Sequence, residues 1–585
     1  MYIDGRKVLG YVGNTVHKVS IFIEKIVKIF TQQRKTVNGI VICNPISNIT
    51  VGDEYALMAY LLPANNMLND NLVVISSSNP SVITIEYGVL KAVSVGTARI
   101  TVEDYDRKYR KSISIAVTEK EISTISESEI YTVNASNYEI SIDGTNDVAT
   151  TNGIISAIAF ASNNGYKKII FPKGKYTVTP EVATNPTKYV IDIPSNLIVD
   201  FNNSTVNISP TDISLTGYRM FTFGAINHCE NSSIINTNIV GDILTNSNKP
   251  DKLSEFCISV HFYDATNCGL DNCDLSYSAG HNISSLRYPK TTDAMKPILG
   301  SNTEAGKYDE YGNEVTIEKW WRTINKIDIS ALYGSFELGN IEGYSGYTAL
   351  VARLYDICFY DINNKFISSI QNCLQFYRYE LPIDAYYCSI SFHQTNQPSG
   401  DIGGIYGGLG AVATIYTNTE PLYCYIRKCN IHHNHDLGMA ITGGKHWYIE
   451  KNTFEENGYH YNFAVNSDID IEDGWDSCNN IVIRNNTFNS SIGIVMVSSI
   501  NTIIHDNVFN NSIQILGAES GTNGRVQFFR IYKNTYTGTT VSIVVQNECV
   551  LAENTFNNCI VKTPVTYHTG AEYTCRLMKN IYNQG

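Results

Sequence analysis

Two short runs hold the side chains that could do chemistry. NSDIDIEDGWD supplies Asp468, Asp470, Glu472, Asp473 and Asp476, and IHHNHDLGMAITGGKH supplies His432, His433, His435, Asp436, Lys445 and His446. In Asp468-Ile469-Asp470-Ile471-Glu472, acidic and apolar residues alternate with the period of a strand. The alternation predicts two isoleucines turned into a core and three acids turned outward. Residues two apart on a strand stand roughly 6.6 Å apart at the backbone, a separation that suits carboxylates flanking a glycosidic bond. Crowding of like charges raises at least one carboxyl pKa, as a general acid requires. The same run also fits a surface without chemistry, because outward acids are common on strands and Gly474 would serve simply to close a turn.

The histidines are less specific. His432 and His433 point to opposite sides if both lie on a strand, and HHNH is not a complete metal motif. In a coiled chain His433 or His435 lies one coil from Asp468. Strands in neighbouring coils sit about 4.8 Å apart, so these groups can converge, with a histidine as base or as a ligand for a phosphate or uronate oxygen. Trp447, Trp475, Tyr459 and Tyr461 offer rings that stack on sugars, and Lys445 and His446 offer positive charge. No cofactor is required by these residues. Hard oxygen ligands suit calcium, whose expected position is Asp468, Asp470 and Glu472.

What must position these groups is read from the rest of the chain. Only 17% of its 585 residues are charged, while it holds 39 Tyr and 21 Phe. That mix favours many short strands joined by polar turns. The length exceeds one ordinary core unless the chain extends by stacking. Asparagines lead similar phrases at positions 430, 452, 486, 507, 534 and 554. Gaps near 20 residues suit one coil of three short strands, and longer gaps mark lateral insertions. An asparagine in every coil can bond turn backbone above and below it. Earlier coils are expected at 234–239, 270–275 and 357–362. Residues 288–325, with six acids and Trp320 and Trp321, fit poorly and read as a lateral excursion.

Ahead of the repeats, residues 1–37 form their own segment, with Ile23, Ile26, Val27 and Phe30 on one face if helical. Residues 38–118 read as a small β-sandwich punctuated by Gly88 and Gly96, and 119–132 as a linker. A helix is expected near 151–164, capped by Thr151 or Asn152 and stopped by Gly165, to cover the open end of a solenoid over 133–585.

The formal charge of -13 and the lack of a basic stripe beyond the first 35 residues argue against a nucleic-acid partner. Fourteen cysteines without a CxxC pair read as buried thiols made in a reducing compartment, not as a zinc site. No membrane-spanning segment and no signal peptide are visible. A protein of this kind acting outside a cell would leave by another route, such as a virus particle released by lysis.

Three phrases resemble known families. SSSNPSVITIEYGVLKAVSVGTARITV at 76–102 resembles a bacterial Ig-like domain of group 2, which implies a spacer or weak adhesion module. DGTNDVATTNGIISAIAFASNNGYKKIIFPKGKY at 143–176 resembles the opening segment of the pectate-lyase-like superfamily. GMAITGGKHWYIEKNTFEENG followed by DIDIEDGW is similar to tailspike and neck-appendage proteins of viruses infecting Gram-positive bacteria. These resemblances imply an all-β fold: a right-handed parallel β-helix preceded by an Ig-like sandwich. They imply a virion appendage, joined to other tail or neck proteins through 1–37 and acting at the bacterial surface. They also imply a homotrimer with Tyr and Phe of one flank in the contact. The expected ligand is capsule or wall teichoic acid, bound and depolymerised. Three chemistries stay open. A glycosidase would use two of Asp468, Asp470, Glu472 and Asp473; a phosphodiesterase would add His433 or His435; a lyase would use Lys445 or His446. The alternatives are an adhesin or structural fibre without chemistry, and a secreted polysaccharide lyase.

Overall fold

The computed structural model describes residues 39–62, 73–104, 106–120, 124–185, 188–210, 217–245, 256–286, 288–289, 295–299, 302–332, 334–339, 354–393, 411–458, 467–472, 478–517, 526–562 and 575–583. The segment 1–37 therefore lies outside the described residues. From Ile130 onward short strands pair in parallel, coil on coil, into one sheet of 22 strands and one of ten. This is the expected right-handed parallel β-helix, with the handedness that parallel crossovers take. The coils foreseen at 234–239 and 270–275 are present as the strands Ser233–Val240, Gly269–Asp271 and Asp274–Ser276.

The helix Asp147–Asn163 closes the first coil and buries Ile154, Ala157, Ile158 and Ala161 against its core. It begins earlier than expected. Asn146, in the left-handed region at φ 54, is the N-cap, so Thr151 and Asn152 lie inside the helix. The Thr151 hydroxyl donates to the Asp147 carbonyl at 2.7 Å and accepts from the Thr179 N–H at 2.9 Å, which ties the helix to the coil beneath it.

One column of asparagines holds the later coils in register. Asn452, Asn486, Asn507, Asn534, Asn554 and Asn580 occupy the same place in six successive coils. Each Oδ1 from Asn486 onward accepts the backbone N–H of the asparagine one coil earlier, at 2.9–3.0 Å. The Nδ2 of that earlier asparagine reaches the same oxygen at 3.0–3.1 Å. Each Nδ2 also donates to a main-chain carbonyl at 2.7–2.9 Å. The residue before each asparagine is left-handed, with φ of 52–59 from Lys451 to Lys579, and this sets the tight corner. Two residues after each asparagine stands an aromatic ring, in the core from Phe454 to Phe556 and exposed at Tyr582 in the last coil. Phe454, Phe488, Phe509, Tyr536, Phe556 and Tyr582 stack with centroids 4.6–5.1 Å apart. Asn430 is not on the column. Cys429 holds that position, donating its N–H to Asn452 Oδ1 at 2.9 Å, while Asn430 turns outward to Asp274.

A second buried polar column runs down the next corner. Asn434 Nδ2 donates to Asn457 Oδ1 at 2.8 Å, and Asn457 Nδ2 donates to Asp468 Oδ1 at 2.7 Å, an oxygen that also accepts from Ser490 Oγ. Asp468 is thus fully buried in a corner and not turned outward as its alternation predicts. The strand proper is only Ile469–Ile471, so Asp468 already belongs to the turn. Burial drives its carboxyl up to about 7, against the lowering effect of Asn457 and Ser490.

Two further bodies attach to the solenoid. The sandwich of residues 39–118 packs its strands around Tyr55, Leu57, Leu90, Ile100 and Ile115. It docks through Ala56 and Val89 onto Val482, Ile503, Tyr532 and Val550. Glu54 meets Arg484 and His505 there, each at 2.8 Å; burial alone would raise its carboxyl, but these partners hold it down at about 2. The second body is the excursion. It extends from 288 to 419, well beyond 325, and is built of antiparallel strands around its own core. Residues 357–362 belong to it and not to a coil. The strand Leu354–Tyr360 pairs antiparallel with Phe366–Leu374 on one side and Tyr387–His393 on the other, so it is an interior strand of the inserted sheet, buried along its whole length. Its feet, Tyr288–Pro289 and Asn418–Thr419, pair with each other, so the solenoid resumes where it stopped. All fourteen cysteines are free thiols, twelve of them buried.

Two stability measurements check these columns. Asn507→Ala leaves the buried donors of Asn486 without their acceptor and should cost at least ~2 kcal/mol, seen as a lower melting temperature. Asn510→Ala, on the exposed side of the same coil, should melt close to wild type. Because the folded-state pKa of Asp468 is raised, its contribution to stability is full below its unfolded value near 4 and is lost as pH rises toward 7. Asp468→Asn should therefore flatten the fall in melting temperature between about pH 4 and 7; an unchanged slope would contradict this placement.

Candidate active site

The ten-stranded sheet turns alternate side chains outward, and Asp470 is one of them. Ile469 and Ile471 point into the core, as the alternation predicts. In register, Asp470 stands above Ala440 of the preceding coil and below Val495 of the next. It is nonetheless only 3% exposed, so of the three alternating acids only Glu472 is on the open surface. The strand separates the trio. Asp468 goes to the corner, Asp470 to the sheet face and Glu472 to the far end.

The electrostatics follow from that placement. Burial first, and then Glu472 and Asp436, push the Asp470 carboxyl up to about 8. Its Oδ1 is buried without a hydrogen-bond partner among the described residues. Asp436 lies in the turn before the strand Met439–Ile441, one coil away. His281 Nε2 stands 2.9 Å from Asp436 Oδ2. The sequence offers Asp436 without an evident role and gives no local sign of His281, which lies on the other side of the insertion. The available signal was position: His281 lies two residues before the strand Ile283–Ser285, which stacks on Met439–Ile441.

The other candidates are distributed elsewhere. His433 leaves the strand Asn430–His432 at φ 55 and swings back, so the two histidines do not face opposite sides. Their Nδ1 atoms lie 2.7 Å apart, His432 Nε2 is 3.1 Å from Asp274, and His433 Nε2 is 2.9 Å from Glu456. Tyr277 packs against both rings. Both ring nitrogens of His433 are engaged in this row. His435 is buried, its N–H bonded to the Ser278 carbonyl at 3.0 Å.

Trp447 is in the core, edge-on to Phe262 and donating Nε1 to the Gly443 carbonyl at 3.2 Å, so it cannot stack on a sugar. Gly444 makes this possible, since a Cβ there would collide with the indole nitrogen. By Lys445 the chain has left the ten-stranded sheet. Lys445 lies over Tyr377 of the insertion, and His446 stacks on Tyr423 at 4.5 Å and on Tyr55 of the sandwich at 6.2 Å. Burial lowers both their pKa values. These side chains therefore line the junction of the three bodies. Asp473, Trp475, Tyr459 and Tyr461 lie outside the described residues. Among the described residues, no three His, Cys, Asp or Glu side chains converge as a metal site.

A buried, protonated carboxyl beside two further acids can donate a proton to a leaving oxygen while one neighbour activates or replaces water. No family model matches the chain, and no curated protein does. Among solved structures, the chain is similar to the A-module of a mannuronan C-5 epimerase from Azotobacter vinelandii, at 9% identity over 78% of this chain and 96% of that one, with a TM-score of 0.32. It is similar to an exopolygalacturonase from Thermotoga maritima, at 12% identity over 79% and 93%, with a TM-score of 0.37. It is similar also to the tailspike of E. coli bacteriophage HK620, at 11% identity over 78% and 65%, with a TM-score of 0.37. At such identities and scores these likenesses add nothing to what the strand pairing shows. The pairing shows the fold: a right-handed parallel β-helix that carries a β-sandwich and a lateral antiparallel insertion.

Proposed function

We propose that the chain binds a bacterial surface glycopolymer, capsule or wall teichoic acid, and cleaves it on the outer face of the ten-stranded sheet. The observation that carries this reading is the Asp470 carboxyl, buried, one oxygen unpartnered, and held protonated near neutrality beside Glu472 and Asp436. Asp470 gives its proton to the glycosidic oxygen as the bond to the anomeric carbon breaks. Asp436 or Glu472 takes a proton from the attacking water, or attacks the carbon itself before water replaces it. His281 fixes the aim of Asp436.

The setting is a virion tail or neck appendage acting at the host surface, with residues 1–37 as the attachment to other virion proteins. The resemblance of the DIDIEDGW phrase supports this. A second reading, phosphodiester cleavage in a teichoic acid, is favoured by the row Asp274, His432, His433 and Glu456, which could relay a proton to a leaving alkoxide.

The test is to incubate the protein with wall and capsule fractions, with and without a calcium chelator, and to follow polymer size and new ends. Reducing ends indicate hydrolysis of glycosidic bonds, phosphomonoesters the second reading, and ultraviolet-absorbing unsaturated ends a lyase. Binding without any change in polymer size would leave an adhesin. Asp470→Asn should lower the rate by roughly 10²–10⁴-fold, with the circular dichroism and melting of the wild type. Asp436→Asn and Glu472→Gln should separate the second carboxylate from a bystander. Because Asp470 must be protonated to act, kcat/KM should fall as pH rises through about 8, and Asp470→Asn should abolish that limb.

A further inference from the structure

Three pairs of cysteines meet across neighbouring coils. Cys229 and Cys268 bring their sulfurs to 3.6 Å. The thiols of Cys273 and Cys429 are hydrogen-bonded across the feet of the insertion, and those of Cys549 and Cys575 near the end of the solenoid. All four members of the first two pairs are buried. In the third, Cys549 is in the core, whereas Cys575 opens the strand Cys575–Met578 and is only half-buried. The two strands run parallel, with Cys549 directly in register with Cys575.

We propose that Cys549 and Cys575 are a modification site, which a small-molecule disulfide such as oxidised glutathione converts into a disulfide that staples this coil to the one before it. In-register neighbours in a parallel sheet stand about 4.8 Å apart, inside the Cα separation that a disulfide spans. The Cβ atoms of a disulfide sit closer, at about 3.8 Å, so one strand must move toward the other by up to about 1 Å. Within the stack, coils on both sides resist that movement. The strand Cys575–Met578 is open on its outer side: Leu577 and Met578 are 57% and 39% exposed, whereas Leu551 and Ala552, in register with them one coil earlier, are fully buried. This coil can yield, and its thiol can be reached. Cys559 is also half-buried, but it donates to the Asn557 carbonyl at 3.2 Å and not to another thiol.

The exchange takes two steps. The Cys575 sulfur, whose pKa is lowered by its bond to the Cys549 thiol, attacks one sulfur of oxidised glutathione, and one glutathione leaves. The Cys549 sulfur, once deprotonated, attacks the sulfur of Cys575 and expels the second. The protein gives up two electrons and two protons, and the two released glutathione thiols carry them. The bond closes residues 549–575 into a loop and pins the coil that carries Asn580 and Tyr582. This inference does not rest on the proposed cleavage.

The experiment is to incubate the folded full chain with excess oxidised glutathione at neutral pH, then to denature it, alkylate it and count thiols by mass spectrometry. The expected count is two fewer than the fourteen of the reduced chain, with no glutathione attached and with Cys549 linked to Cys575 in one peptide pair. Dithiothreitol should restore all fourteen. Cys575→Ser should lose none of its remaining thiols, and Cys549→Ala should keep one glutathione on Cys575. Proteolytic trimming from the C-terminal end should be at least roughly tenfold slower in the oxidised wild type than in the reduced one, and equal in the two states of Cys575→Ser. A wild type that keeps fourteen thiols, a glutathione left on Cys575, or a bond at Cys229–Cys268 or Cys273–Cys429 in its place would each overturn the proposal. So would a Cys549–Cys575 bond that leaves trimming unchanged.

Discussion

Every coil from 452 onward rests on an asparagine amide that bonds to its neighbours, and this bond fixes how far apart and at what rotation the coils sit. A slip of one residue would turn each inward ring outward and leave buried amide groups without partners. Extra sequence can therefore leave only at the turns. The insertion from 288 to 419 obeys this: Asp271 still stacks on Arg427, and Ser285 on Ile441, as though the intervening chain were absent. Columns of outward residues continue across it, which is how His281 comes to face Asp436.

The same register gives two neighbouring acids different fates. Asp468 lands in a corner where Asn457 and Ser490 donate to it, and it becomes part of the frame. Asp470 lands on a sheet face between Ala440 and Val495, neither of which can bond to it. A carboxyl buried without donors favours its neutral form. The fold thus raises a carboxyl pKa by withholding partners, and it does so two residues from a position where partners are supplied.

Docking of the two attached bodies divides the surface. The sandwich covers outward residues of the 22-stranded sheet, with Glu54 held between Arg484 and His505. The insertion core reaches Ile500 and Phe528 near the same junction. Lys445 and His446, which sequence reasoning offered to a substrate, are taken up there. The candidate acids lie on the other long sheet, whose outer column near Asp470 is set by the solenoid itself.

Much of this was legible in the residues alone. Alternation and repeated asparagine phrases imply the solenoid, because a period of two and a spacing near 20 residues are direct consequences of strand and coil geometry. The direction of Ile469 and Ile471 followed from the same period, as did the choice of Asp470 as an outward acid. Burial did not follow. Asp470 and Asp468 read alike as letters, and only neighbouring coils decide which of them finds donors. Trp447 reads as a sugar platform until Gly444 is seen to admit its indole to the core. Residues 357–362 look like a coil because antiparallel and parallel strands share the same alternation. His281 and Asp436 are far apart in the chain, and a contact between coils depends on the total length of what is inserted between them, which local pattern does not encode.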